Sequence, residues 1–124
     1  MPYEPLEDKR VYQRAEVFSD KLWELVLNWN WFAKRTVGVQ LVEAADSIGA
    51  NIAEAGGRYH PGDVKKFLYY SRGSLRETKY WMRRALKRVL MDTPLYESLD
   101  SELEQLSKEI NQAIAYQKRR GKDE

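Results

Sequence analysis

The 124-residue chain contains no cysteine. That absence removes disulfides, thiolate nucleophiles and zinc–thiolate centres together, and it fits a reducing cytoplasm, where this protein is expected to reside. The one histidine, His60, sits in a turn beside Pro61. A di-iron bundle needs Glu-x-x-His pairs on its helices, and a nucleophile needs an adjacent base, so neither has its parts here. Arg58-Tyr59-His60 is too tightly spaced for the Arg-then-His pair of helical ribonucleases. Gly56-Gly57 is followed by no Gly-Lys-Ser or Gly-Lys-Thr, which excludes a phosphate loop and leaves a helix C-cap. No stretch approaches the roughly 18 apolar residues that cross a bilayer, and the first ten residues hold no apolar run of a secretory leader. The expectation is a soluble, non-enzymatic protein without metal, cofactor or small-molecule substrate.

Strand-like alternation is also missing, and helical spacing fills the chain instead. Val11, Ala15, Phe18, Leu22, Leu25 and Trp29 recur at steps of four and three, predicting a helix over 11–28. An aromatic corner, Trp29-Asn30-Trp31-Phe32, is expected to close one end of the molecule. A second helix is predicted over 35–57, and Tyr59-His60-Pro61-Gly62 then forms a turn that offers Asp63 as the next N-cap. The third, over 64–91, has the cleanest seam: Val64, Leu68, Ser71, Leu75, Thr78, Met82, Ala85 and Val89. Asp92-Thr93-Pro94 stops it, and the fourth, over 95–118, repeats the spacing through Leu99, Leu103, Leu106, Ile110 and Ala113. Short connections between long helices predict an all-α, antiparallel up-down-up-down four-helix bundle. One domain over 1–124 is expected, with frayed ends at about 1–8 and 118–124.

Two surfaces stand out. In the second helix, Leu41, Ala44, Ile48, Ile52 and Ala55 form an apolar stripe, Gln40, Ser47, Asn51, Glu54 and Arg58 form a polar stripe beside it, and the stretch from Ser47 to Arg58 is built largely from small and polar residues. With Ser74 and Glu77 these polar residues are candidates for an oligomer interface or a register-setting network, since buried polar groups demand specific partners. The third helix carries the charge. Between 64 and 91 nine basic residues face Glu77 alone, a net of +8, which leaves −6 for the rest of a chain whose total is +2. Lys65, Tyr69, Arg72, Arg76, Lys79, Arg83 and Lys87 line one face of it. Cations with a tyrosine among them suit DNA or RNA, because they displace counterions from phosphates while the ring stacks on a base. The alternative is that the stripe faces the acidic fourth helix, or its copy in a neighbouring subunit, as ion pairs.

Taken in order, Val11-Tyr12-Gln13, Ser47-Ile48, Asn51-Ile52-Ala53-Glu54, Gly57-Arg58, Phe67-Leu68 and Arg72-Gly73-Ser74-Leu75 with Glu77 resemble a known family. These are the small bacterial four-helix-bundle proteins named for the intervening sequences of large-subunit ribosomal RNA genes, and the resemblance covers about 6–113. The family is similar to the accessory protein of diversity-generating retroelements, a barrel-like homopentamer that binds nucleic acid and a reverse transcriptase. The resemblance therefore implies a homo-oligomer, a pentamer by analogy, with nucleic acid and a reverse transcriptase as partners. The chain departs from the family pattern at Val42-Glu43, where members place basic residues, and at Gly49, where they place proline. Asp46 adds an acid, so the second helix is a poor phosphate surface and the third is left to carry that role.

Overall fold

Two asparagines build the turn between the first two helices. In the computed structural model, which describes residues 9–122, α1 (Arg10–Leu27) closes on Asn28, whose side-chain amide donates to the Glu24 carbonyl at 2.9 Å. Asn30 then caps the next helix, its side-chain oxygen accepting the Ala33 N–H at 2.9 Å. That cap starts the second rod at Trp31, four residues before the expected position 35. The rod comprises α2 (Trp31–Ala33), a π-helix (Lys34–Gly38) and α3 (Val39–Gly56) in unbroken succession. The π turn brings Gly38 against α1, where an added Cβ would lie 2.7 Å from Val26 Cγ1 and 3.2 Å from the Ala33 carbonyl oxygen. No larger residue fits that approach without displacing a stiff β-branched neighbour.

α4 (Pro61–Lys87) begins one turn earlier than its apolar seam suggests. His60 is the extended N-cap residue and Pro61 stands at the first helical position, where its missing N–H costs nothing. Asp63, expected as the cap, lies instead inside the first turn, where its charge complements the helix dipole. The helix also stops early, at Lys87 rather than 91. The Leu90 N–H bonds the Ala85 carbonyl at 2.8 Å and the Val89 N–H bonds the Leu86 carbonyl at 3.0 Å, the paired bonds of a Schellman cap. That cap needs a left-handed residue, and Val89 supplies it at φ 60°, leaving its side chain 86% exposed rather than in the seam. A β-branched residue is strained there, so Val89→Gly is expected to stabilise the protein by about 1 kcal/mol, net of glycine's greater freedom when unfolded. A urea titration reads this directly; a midpoint at or below that of the parent would refute it.

α5 (Thr93–Lys122) is capped by Asp92, whose Oδ1 accepts the Leu95 N–H at 2.9 Å. It runs four residues past the expected end, and Arg120 donates to the Tyr59 carbonyl at 2.6 Å, tying this end to the α3–α4 turn. Residues 1–8, for which fraying is also expected, lie outside the described residues.

The molecule is all-helical, with no strand among the described residues. The four rods form a ring of contacts: α1 packs on α3 and α5, and α4 packs on the same two. Each contributes its predicted stripe to one core: Ala15, Phe18 and Leu22 from α1, Leu41, Ile48 and Ile52 from α3, Leu68, Leu75 and Met82 from α4, and Leu99, Leu103, Leu106 and Ile110 from α5. Ala113 is only half-buried and Ile114 takes the final core position. The α3–α4 seam is the most extensive, and there the buried Ser71 hydroxyl donates to the Ile48 carbonyl at 2.8 Å. No helix among the described residues is long and apolar enough to cross a membrane.

Candidate nucleic-acid interface

Because Ser71, Leu75, Thr78 and Met82 point inward, helical periodicity places the basic residues of α4 on its α5-facing flank and its outer surface. The structure divides the predicted stripe between these two. Lys79 is turned to α5, with Nζ 3.4 Å from Asp100 Oδ1 and a second, closer bond to Glu104. Burial opposes the Lys79 charge, but the Glu104 hydrogen bond and the nearby Asp100 and Glu104 charges outweigh it and hold the pKa above the ordinary lysine value. Glu104 is correspondingly held below the ordinary glutamate value, chiefly by its hydrogen bond to Lys79. A depressed carboxylate stabilises above its unfolded pKa and a raised lysine below its own. The pair therefore joins α4 to α5 across the neutral range, weakening only as pH falls through the glutamate range or rises past that of Lys79. Arg72 is also engaged, donating to Asn111 Oδ1 at 3.2 Å while its guanidinium lies 4.9 Å from the Tyr69 ring centre.

The rest of the stripe stays open. Arg76, Arg83 and Lys87 are exposed, Lys65 is half-buried, and none forms a salt bridge among the described residues. Tyr69 is 37% exposed beside them. The outer surface also holds residues that the stripe did not include. Tyr80, 49% exposed, falls eleven residues after Tyr69 on nearly the same line, and Gly73 lies between them with nothing within 4 Å of where its Cβ would be. A glycine inside an exposed helix costs about 1 kcal/mol relative to alanine, and packing within the chain does not require this one. The step of four, three and four through Tyr69, Gly73, Arg76 and Tyr80 is the sequence signal that reveals the row.

The polar residues of the second rod are not brought into one network. The Ser47 hydroxyl donates to the Glu43 carbonyl at 2.8 Å and the Asn51 amide to the Ser47 carbonyl at 2.9 Å, both within α3. Arg58 pairs with Glu54 at 3.2 Å across one turn, and its guanidinium covers the Phe67 ring of α4 at 4.6 Å. Gln40 and Glu77 are exposed, and Ser74 is half-buried with its carbonyl accepting from Thr78 at 2.8 Å. The aromatic corner splits: Trp29 joins the core, whereas Trp31 and Phe32 are 68% and 69% exposed. Between α1 and α3, Trp23, Leu27, Val39 and Val42 line an apolar hollow of about 220 Å³, rimmed by Lys34 and Glu43. Among the described residues no three His, Asp or Glu side chains converge as a metal-ion site would require.

Over residues 7–112 the sequence matches the family model for 23S rRNA-intervening sequence protein. The chain belongs to that family. No curated protein matches it. A solved relative in fold is a protein of unknown function from the S23 ribosomal protein family of Bacteroides thetaiotaomicron. It superimposes with a TM-score of 0.75 over 84% of this chain and 97% of its own, at 22% identity. That likeness concerns the fold alone. In this intervening-sequence family member the cationic stripe of α4 is divided, one part spent on α5 and the other left to solvent.

Proposed function

We propose that this intervening-sequence family protein is a non-enzymatic, homo-oligomeric scaffold that binds nucleic acid through α4. The observation that carries the reading is the row of exposed cations, Arg76, Arg83 and Lys87, without salt bridges among the described residues and with tyrosines in line. A polyanion satisfies such a row at little cost, since its bound counterions are released. Wild-type protein titrated with labelled DNA and RNA at stepped salt tests this. Affinity should fall linearly with salt on logarithmic axes, and absence of binding at low salt would remove the nucleic-acid half of the proposal.

The proposed bundle is antiparallel. Arg14 meets Glu109 while Lys21 meets Glu102, so seven residues forward on α1 is seven backward on α5. Lys79 and Arg72 of α4 meet Glu104 and Asn111 of α5 in the same inverted order.

Self-association is supported by the apolar hollow at Trp23, Leu27, Val39 and Val42 and by exposed Trp31 and Phe32 at the start of the same rod, apolar surface of the kind that serves protein contacts. Lys34 and Glu43 on its rim carry opposite signs, which suits a second copy better than a polyanion or an anionic lipid surface. Val39→Asp with Trp31→Asp is expected to reduce the mass seen by light scattering to that of a smaller assembly. Asn51→Leu, whose amide bonds its own helix, is expected to leave the mass unchanged. The opposite pattern would return the interface to the polar stripe. A pentamer, and a reverse transcriptase as partner, are the assemblies the wild-type mass and a binding assay with that enzyme would identify.

A second reading, a protein-interaction module whose cations serve only ion pairs, draws on Lys79 and Arg72, both committed to α5. It predicts that higher salt dissociates the oligomer.

A further inference from the structure

We infer that the outer row of α4 is a stacking track for an unpaired nucleic-acid strand, spanning about five nucleotides per protomer, and not a duplex surface. The inference rests on the proposed nucleic-acid role of α4 and names its substrate class. Tyr69, Gly73, Arg76, Tyr80, Arg83 and Lys87 follow one another at steps of four and three on the side of α4 opposite its buried seam. Glu77, adjacent to the row, is the single acid of this helix after its first turn.

Each aromatic ring is braced. Arg72 lies 4.9 Å from the Tyr69 ring centre, and Tyr80 meets Trp81 at 4.9 Å between centroids with the planes at 83°. Both rings keep substantial exposure, so a base can reach them without repacking the core. Gly73 leaves a dip between them that nothing in the chain fills, a place where a strand can approach the helix backbone closely. Eleven residues of helix separate the rings by about 16 Å. At about 3.4 Å per nucleotide of a stacked strand, that distance covers about five.

The alternation of ring and cation is what selects single strands. Stacking platforms serve bases whose faces are open, and in a duplex those faces are covered by neighbouring pairs. On a duplex the two phenols could only hydrogen-bond phosphate oxygens, and their exposed ring faces would go unused.

The test is fluorescence anisotropy of the full chain with a labelled twelve-nucleotide oligothymidylate and with a twelve-base-pair duplex, at one salt concentration. Wild-type protein is expected to prefer the single strand. Tyr69→Leu with Tyr80→Leu keeps two apolar side chains on the helix and should lower single-strand affinity by about 10- to 100-fold. Duplex affinity and the salt slope should be unchanged. Gly73→Ala should raise the thermal midpoint yet weaken the single-strand complex, and a fully retained affinity would eliminate the dip from the track. Equal wild-type affinity for duplex and single strand, or a tyrosine double variant that binds oligothymidylate as the parent does, overturns the inference while leaving the cation row of α4 standing. Loss of salt-dependent binding to both probes in the parent overturns the two together.

Discussion

Arg76→Glu combined with Arg83→Glu is expected to weaken binding of a nucleic-acid strand by on the order of 100-fold at low salt. Both residues are exposed and neither forms a salt bridge among the described residues, so their charge is available to a partner. Each phosphate that no longer meets a cation should lower the logarithmic salt slope by about one, and the reversed charges add repulsion. Folding should be little affected, because exposed charges without partners contribute little to stability. Lys79→Glu is the informative contrast. Lys79 faces Asp100 and Glu104 of α5, and reversal there places three acids together. It should lower the thermal midpoint while barely changing binding. If Lys79→Glu impairs binding as strongly as the Arg pair, the division of α4 into an inner and an outer cationic face is wrong. Circular dichroism of each variant and anisotropy at several salt concentrations separate these outcomes.

The sequence alone does not determine that division. Spacing identified the α4 stripe as one face because residues at three and four steps are neighbours on any helix. Whether Lys79 or Arg76 looks toward α5 depends on the rotation of α4 in the bundle, and a rotation of about half the angle between adjacent residues exchanges them. The buried positions were legible, since Leu41, Ile48, Leu75, Met82 and Leu106 must leave water wherever the helix lies. Helix ends were less so. Asn30 and Asp92 cap by side-chain geometry that resembles many other polar turns, and Val89 occupies a left-handed position that sequence assigns to glycine. The π turn at Lys34–Gly38 left only Gly38 as a trace, and its reason is a contact with Val26 from another helix. The polar stripe of α3 looked like a network because its residues share a face; in the structure Ser47 and Asn51 bond their own backbone, an option Ser and Asn always carry.

Ser71→Leu should be the most damaging single change in the fold. Ser71 is fully buried, and its hydroxyl donates at 2.8 Å to the Ile48 carbonyl, so the two backbones approach across a gap that only a small side chain allows. Ala55, also buried and lining a hollow with Val64 and Leu68 of α4, keeps the same seam narrow one turn beyond Ile52. Leucine adds volume where the seam has none to yield, and such overpacking costs about 1–3 kcal/mol, more where the backbones themselves must separate. Loss of the hydrogen bond adds about 1 kcal/mol. A single domain of this size has about 5–15 kcal/mol in total, so the variant should unfold at a clearly lower urea concentration. Ser71→Ala isolates the hydrogen bond and should lose only about 1 kcal/mol. Near-parental stability of Ser71→Leu would show that α3 and α4 can slide apart freely, and the close approach read from Ser71 and Ile48 would not be what holds the outer row of α4 in place.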